Sequence, residues 1–169
     1  MAEQKNTDNT EELTEKPTSY GKRQVDQPGM LAGTLQVDIV SAEKAIFSGR
    51  AKLVVVSGEE GELGIYPGHT QLLSAIKPGQ VKIVAKDGSE QFYYVSGGFV
   101  EAQPDVVTIL ADTVIRAKDI DENKALAAKD RAEKLLASSK KLDDNYNAII
   151  IELTKAIAQL QVLKNIKRR

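Results

Sequence analysis

His69 is the only histidine of the chain, and it closes the segment Gly58 to His69, which reads GEEGELGIYPGH. Glycines at that density suggest a loop whose backbone amides could cradle a phosphate. The pattern does not support that chemistry, because no Lys-Ser or Lys-Thr pair follows the last glycine. No helix pattern opens there either, so a helix terminus is missing from the cradle. Acid–base or metal chemistry fares no better, since one histidine stands without cysteine or a clustered carboxylate motif. Ser96 precedes Gly97 and Gly98, but no G-x-S-x-G elbow surrounds it. The sequence therefore contains no catalytic set. The segment reads instead as a rigid acidic turn that could dock, with Glu62 protruding between glycines and Pro67 stiffening the approach to His69.

The elements that must position this turn belong to a chain of 169 residues, enough for one domain with an appendage or for two small domains. Hydrophobic residues at 41% and charged residues at 28% are ordinary for a globular protein. A net charge of -1 supplies no field that would draw the chain to nucleic acid or anionic lipid. The absence of cysteine removes disulfides, thiolate zinc sites and cysteine nucleophiles together. No apolar run approaches the roughly 20 residues needed to span a bilayer, so membrane contact is expected only through a partner.

Three regions follow one another. Residues 1–33 are polar and poor in large apolar side chains, which predicts a disordered tail. The tail has no apolar block of a secretory signal, and its acidic residues do not suit a mitochondrial presequence. Residues 34–116 carry short runs that are either of period two or continuous, such as LQVDIV, AKLVVV, QVKIVA, EQFYYV and VVTILA. Turn signals lie between them, including Asp87-Gly88 and Gln103-Pro104-Asp105. These runs predict an antiparallel β-sandwich or flattened barrel.

Residues 117–169 switch to helical spacing. Asp119 is expected to cap the first helix with Glu122 as its capping-box partner, and Asp130 to pair with Lys134. Alanines at 125, 127, 128, 132 and 137 favour that helix. A break at Ser138 to Asp144 precedes a second helix with Ile149, Ile150, Leu153, Ile157, Leu160 and Leu163 along one stripe. The short break implies an antiparallel two-helix hairpin, so the fold class is α+β. Neither helix has enough large residues for a deep core of its own, so the hairpin needs a surface to rest on.

Several segments follow in order: VSAE at 40–43, FSG at 47–49, GELGIYPGHTQLLSAIKPG at 61–79, VSGGFVEAQP at 95–104, VTILADTVIRA at 107–117 and KAIAQL at 155–160. Together they resemble the epsilon subunit of bacterial F-type ATP synthase. The resemblance implies a rotor subunit of the central stalk, bound to the gamma subunit and to the ring of c subunits. It implies coupling of proton flow to ATP synthesis from ADP and phosphate, with no chemistry in this chain. On family grounds Glu62 and His69 fall where the sandwich faces the rotor, and Ser41 falls at a gamma contact. The place implied is the cytoplasmic face of a bacterial inner membrane, reached only through the complex. A free-standing β-sandwich binding module is the alternative reading.

In that family the hairpin can fold on the sandwich or extend toward the alpha and beta subunits and restrain ATP hydrolysis. After Glu152 no acidic residue remains, whereas Lys155, Lys164, Lys167, Arg168 and Arg169 follow, a basic end suited to an acidic partner. Some members also bind ATP through an Ile/Leu-Asp-x-x-Arg-Ala motif. Here IDENKA matches at Ile120, Asp121 and Ala125 but has Lys124 at the arginine position, and Arg131 matches a further family arginine. Two phosphate-holding arginines of the second helix appear as Lys155 and Gln159. Loss of bidentate guanidinium groups weakens phosphate recognition, so no cofactor is expected to be required and ATP is at most a weak regulatory ligand.

Overall fold

A computed structural model describes residues 33–139 and 145–168. The tail expected over residues 1–33 therefore lies, except for Gly33, outside the described residues, as does most of the break between the helices. The strands are β1 (Leu35–Ser41), β2 (Ala45–Ala51), β3 (Leu53–Gly58), β4 (Gly61–Ile65), β5 (Leu72–Val84), β6 (Glu90–Val95), β7 (Gly98–Ala102), β8 (Val106–Ala111) and β9 (Val114–Arg116). A 3-10 turn at Ala117–Asp119 leads to α1 (Glu122–Ser138) and α2 (Tyr146–Lys167).

Alternation sets the sandwich interior. Leu35, Val37 and Ile39 of β1 are fully buried, and Val54, Val56, Val100, Val107 and Ile109 meet them in one core. The strand order is β2-β1-β8-β7-β5-β3-β4, with β6 between β5 and β9. β5 serves both layers: Leu72 to Ile76 pairs with β7, and Gly79 to Val84 pairs with β6. The changeover falls at Pro78-Gly79, where Pro78 has no amide to give to a ladder. A Cβ on Gly79 would stand 2.6 Å from the Ser57 Cβ, so the corner closes only with glycine. The all-antiparallel expectation needs one amendment, because β1 and β8 pair in parallel from Gln36–Val106 to Ser41–Ala111. Six strands separate them in the chain, which gives ample length for the crossover that parallel pairing needs.

The Asp87-Gly88 step does join β5 to β6, as its chemistry predicts. Gly88 takes φ +88°, and the Asp87 carboxylate accepts hydrogen bonds from the Ser89 amide at 2.9 Å and hydroxyl at 2.7 Å. Those bonds hold the carboxyl below its ordinary pKa.

β6 reads as a continuous apolar run because both of its faces are covered. Tyr93 and Val95 point into the sandwich, whereas Phe92 and Tyr94 lie under the helices with Ala117, Ala158 and Val162. The hairpin thus rests on the sheet through α2. This position corrects the single stripe expected for that helix. Ile149, Leu153, Ala156, Leu160 and Leu163 line one side, and Ala158, Val162 and Ile166 form a second line toward the sheet. Ile150 and Ile157, expected inside, are 39% and 46% exposed. A helix wedged between a neighbour helix and a sheet needs two apolar lines, and its flanks are left to solvent.

Two surface details also differ from expectation. The cap of α1 is Asp121, whose Oδ1 accepts from the Lys124 amide at 3.0 Å, while Asp119 lies inside the 3-10 turn. The turn uses up the residues that would have opened the helix two positions earlier. On α1 the charged pair is Lys129–Glu133 at 3.1 Å, rather than Asp130–Lys134.

The Tyr94 hydroxyl has its pKa pushed up from 10.0 by burial, partly offset by hydrogen bonding with Gln159. A raised acid pKa in the folded state keeps its stabilising contribution below the unfolded value near 10 and loses it as pH rises through the folded value. Urea midpoints measured from pH 8 to pH 11 should therefore fall at the alkaline end (about pH 10 upward). Tyr94→Phe should fall less steeply. Equal slopes for the two proteins would show that the buried phenol does not govern the alkaline limb.

Candidate functional site

An exposed apolar surface of the sandwich lies on the outer side of β5, β7, β8 and β1. Val100 and Ala102 of β7 point inward, so Phe99 and Glu101 must point outward. Register then places Ala75 beside Phe99, Phe99 beside Leu110, and Leu110 beside Val40. Phe99, Leu110 and Leu73 are 55%, 50% and 71% exposed. Val40, Ala75, Phe99 and Leu110 line an open groove of about 540 Å³ with Ser41, Glu59 and Asp112, and Leu73 lies on the same face outside that lining. The groove was not foreseen, although apolar residues on both faces of GFVEA and VVTILA were its available signal.

Ser41 is the sequence candidate that the fold places in this groove. Its hydroxyl donates to the Lys44 carbonyl at 3.1 Å and accepts from the Lys44 amide at 3.3 Å, which closes the β1–β2 turn. Glu62 does not protrude from a turn tip. The two-residue turn is Glu59-Glu60, and Glu62 is exposed on strand β4 opposite Ser57. Alternation of Leu63 and Ile65 toward the interior fixes its outward direction.

His69 belongs to a separate turn at the other end of β4. Its amide donates to the Tyr66 carbonyl at 3.1 Å across Pro67 and Gly68, and Gly68 takes φ +81°. Proline followed by a positive-φ glycine is the pattern of a type II turn. The Gly68 amide donates to the Pro104 carbonyl at 2.7 Å, pinning this turn to the one between β7 and β8. His69 Nδ1 lies 2.7 Å from the Thr70 carbonyl, so that nitrogen carries the hydrogen, and Nε2 makes no hydrogen bond among the described residues. Among the described residues no hydrogen bond joins Ser41, Glu62 and His69.

The residues considered for nucleotide binding stand apart from the groove. Asp121 caps α1, Lys124 Nζ lies 3.9 Å from the same carboxylate, Ile120 packs beside Tyr94, and Arg131 is exposed further along the helix. None of them lines the groove or the second cleft, of about 420 Å³, between Lys44, Ile46, Val114 and Arg116. At the basic end of α2, Lys155, Lys164 and Arg168 are exposed without an ion-pair partner among the described residues. Lys167 differs, with Nζ 2.7 Å from Glu122 Oε2.

Two family descriptions cover this architecture. "ATP synthase, Delta/Epsilon chain, beta-sandwich domain" matches residues 34–117, and "ATP synthase, Delta/Epsilon chain, long alpha-helix domain" matches residues 118–164. The chain belongs to the ATP synthase delta/epsilon family. It is a non-catalytic stalk subunit of the ATP synthase complex. A chain in the Euglena gracilis mitochondrial ATP synthase, in rotational state 1, has a similar fold. Its TM-score is 0.66 at 19% identity, covering 96% of this chain and 98% of that one. A chain from the central stalk and c-ring of the Tetrahymena thermophila mitochondrial ATP synthase gives 0.51 at 17% identity, covering 76% and 96%. No described helix of this stalk subunit is long and apolar enough to cross a membrane. Its position on the complex is peripheral.

Proposed function

We propose that this stalk subunit grips the gamma subunit through the groove of Val40, Ser41, Ala75, Phe99 and Leu110, and meets the c-ring through Glu62 and the His69 turn. The observation that carries the reading is the outward line Leu73, Phe99 and Leu110, since large apolar side chains seldom share one exposed sheet face without a partner. The hydroxyl of Ser41 and the carboxylates of Glu59 and Asp112 supply a polar rim around that centre. Gripped on this face, the sandwich passes rotation driven by protons at the ring to the catalytic head. Its setting is the cytoplasmic face of a bacterial inner membrane, with contact to lipid only through the complex.

The hairpin is the regulatory part of the same proposal. Its docked form holds the helix that carries Lys155, Lys164, Lys167 and Arg168 against the sandwich, and its extended form brings them to acidic surfaces of the alpha and beta subunits, where they restrain ATP hydrolysis. Support comes from the small apolar contribution of α2 to its docking surface, where Ala158, Val162 and Ile166 meet Phe92 and Tyr94, so that a competing surface need supply only a few kcal/mol. ATP bound near Ile120, Asp121, Lys124 and Arg131 would act only as a regulator of that balance.

Phe99→Glu places a charge at the centre of the groove. Co-purification of the full chain with the gamma subunit should drop at least tenfold, the scale expected of a central aromatic anchor. Retained binding would remove the groove from the interface. Separately, deletion of residues 144–169 should raise ATP hydrolysis by the assembled enzyme. Unchanged hydrolysis would discard the restraint and leave the stalk contact standing.

A further inference from the structure

Lys167 is engaged by a carboxylate on the other helix of the hairpin, and the position of that carboxylate matters. Glu122 is the first residue of α1, immediately after the Asp121 cap. Ala117 and Ile120, just before it, pack with Tyr94, Val162 and Ile166. Glu122 therefore directly follows a segment packed on the sandwich, whereas Lys167 is the last residue of α2. Two residues earlier in α2, the Asn165 side-chain amide donates to Gln80 Oε1 on β5 at 2.9 Å. Among the described residues the end of α2 is thus held by this neutral hydrogen bond, the Lys167–Glu122 ion pair and apolar contacts of Val162 and Ile166.

We infer that Glu122 is an internal counter-ion that occupies Lys167 in the docked hairpin and competes with the acidic partner of the basic end. This rests on the reading of that end as an acid-seeking contact. The competition is graded by its own geometry. At 2.7 Å the pair is short, yet its side chains are 63% and 48% exposed, so water and salt weaken it. Lys155, Lys164 and Arg168 have no comparable partner among the described residues, so an approaching acidic surface can attract them before Lys167 is released. Glu122 sets how readily that last step occurs.

The pair is tested by hydrogen exchange on the full chain with Glu122→Gln, Lys167→Gln and the double substitution. Each single variant should speed exchange in the last two turns of α2 by about two- to fivefold, the range of an exposed ion pair. The double variant should be no faster than either single one, because the same contact is lost once. Salt at about 0.5 M should bring the wild type toward the variants and leave the variants unchanged. A wild-type exchange rate in Glu122→Gln, or simple additivity in the double variant, would overturn the inference. Loss of the α1 cap is told apart by exchange in the first turn of α1, which Lys167→Gln should not alter. In the assembled enzyme, Glu122→Gln should lower ATP hydrolysis by up to the same factor. Faster exchange with unchanged hydrolysis would uphold the Glu122 contact and sink the inhibitory reading instead.

Discussion

Gly98→Ala should destabilise the fold by about 2–6 kcal/mol, the sum of backbone strain and overpacking of roughly 1–3 kcal/mol each. Gly98 opens β7 at φ +135°, a region that side chains rarely tolerate. An added Cβ would also fall on the Leu110 carbonyl oxygen and within 2.9 Å of the Ala111 Cα. Both obstacles are backbone atoms of the neighbouring strand, so no side chain can rotate away. Gly64→Ala is the matched control, because its Cβ would meet only side-chain atoms at 3.9 and 4.0 Å. Urea unfolding followed by circular dichroism should show a large loss for Gly98→Ala and a change within about 0.5 kcal/mol for Gly64→Ala. Equal midpoints for the two would refute the close approach at Gly98.

Val162→Asp should detach the hairpin while leaving the sandwich folded. Val162 is fully buried among Tyr94, Ala117, Ala158 and their apolar neighbours. An ionised carboxylate there costs several kcal/mol. The docked helix has little with which to oppose that cost, since each buried aliphatic side chain contributes about 1.5–3 kcal/mol and few are present. Undocked helices of this length are marginal in water. Amide protection across α2 should therefore collapse by far more than tenfold, and protection in β1, β3 and β8 should stay at the wild-type level. Loss of protection in those strands as well would mean that hairpin and sandwich unfold as one unit. Val162→Ala, which removes two methyl groups without adding charge, should loosen α2 without detaching it.

Most of the strands could be read directly because their period of two survives wherever one face meets the core. β1 is the clearest case, with Leu35, Val37 and Ile39 alternating inward as their spacing requires. The hairpin between β5 and β6 was equally plain, since Asp-Gly meets a specific backbone demand. The helix start was misplaced by two residues because Asp119 and Asp121 are both competent caps. What decided between them was Ala117, buried under Tyr94 in a 3-10 turn, a tertiary contact with no local signature. Ile150 and Ile157 were misassigned for a related reason, as helical periodicity identifies apolar lines but not the surfaces available to receive them.

Local chemistry alone settled the strand-then-helix order and the turn built from Pro67 and Gly68. Those features depend on side-chain type and on φ and ψ preferences within a few residues, so they can be read without knowing the neighbours. The apolar groove, the two-sided burial of α2, and the meeting of Glu122 with Lys167 were decided by tertiary structure. Each of these joins residues far apart in the chain, 45 positions for Glu122 and Lys167 and 85 for Gln80 and Asn165. No short window of sequence carries that information, because such pairings arise only when strand register and helix docking choose which surfaces come together.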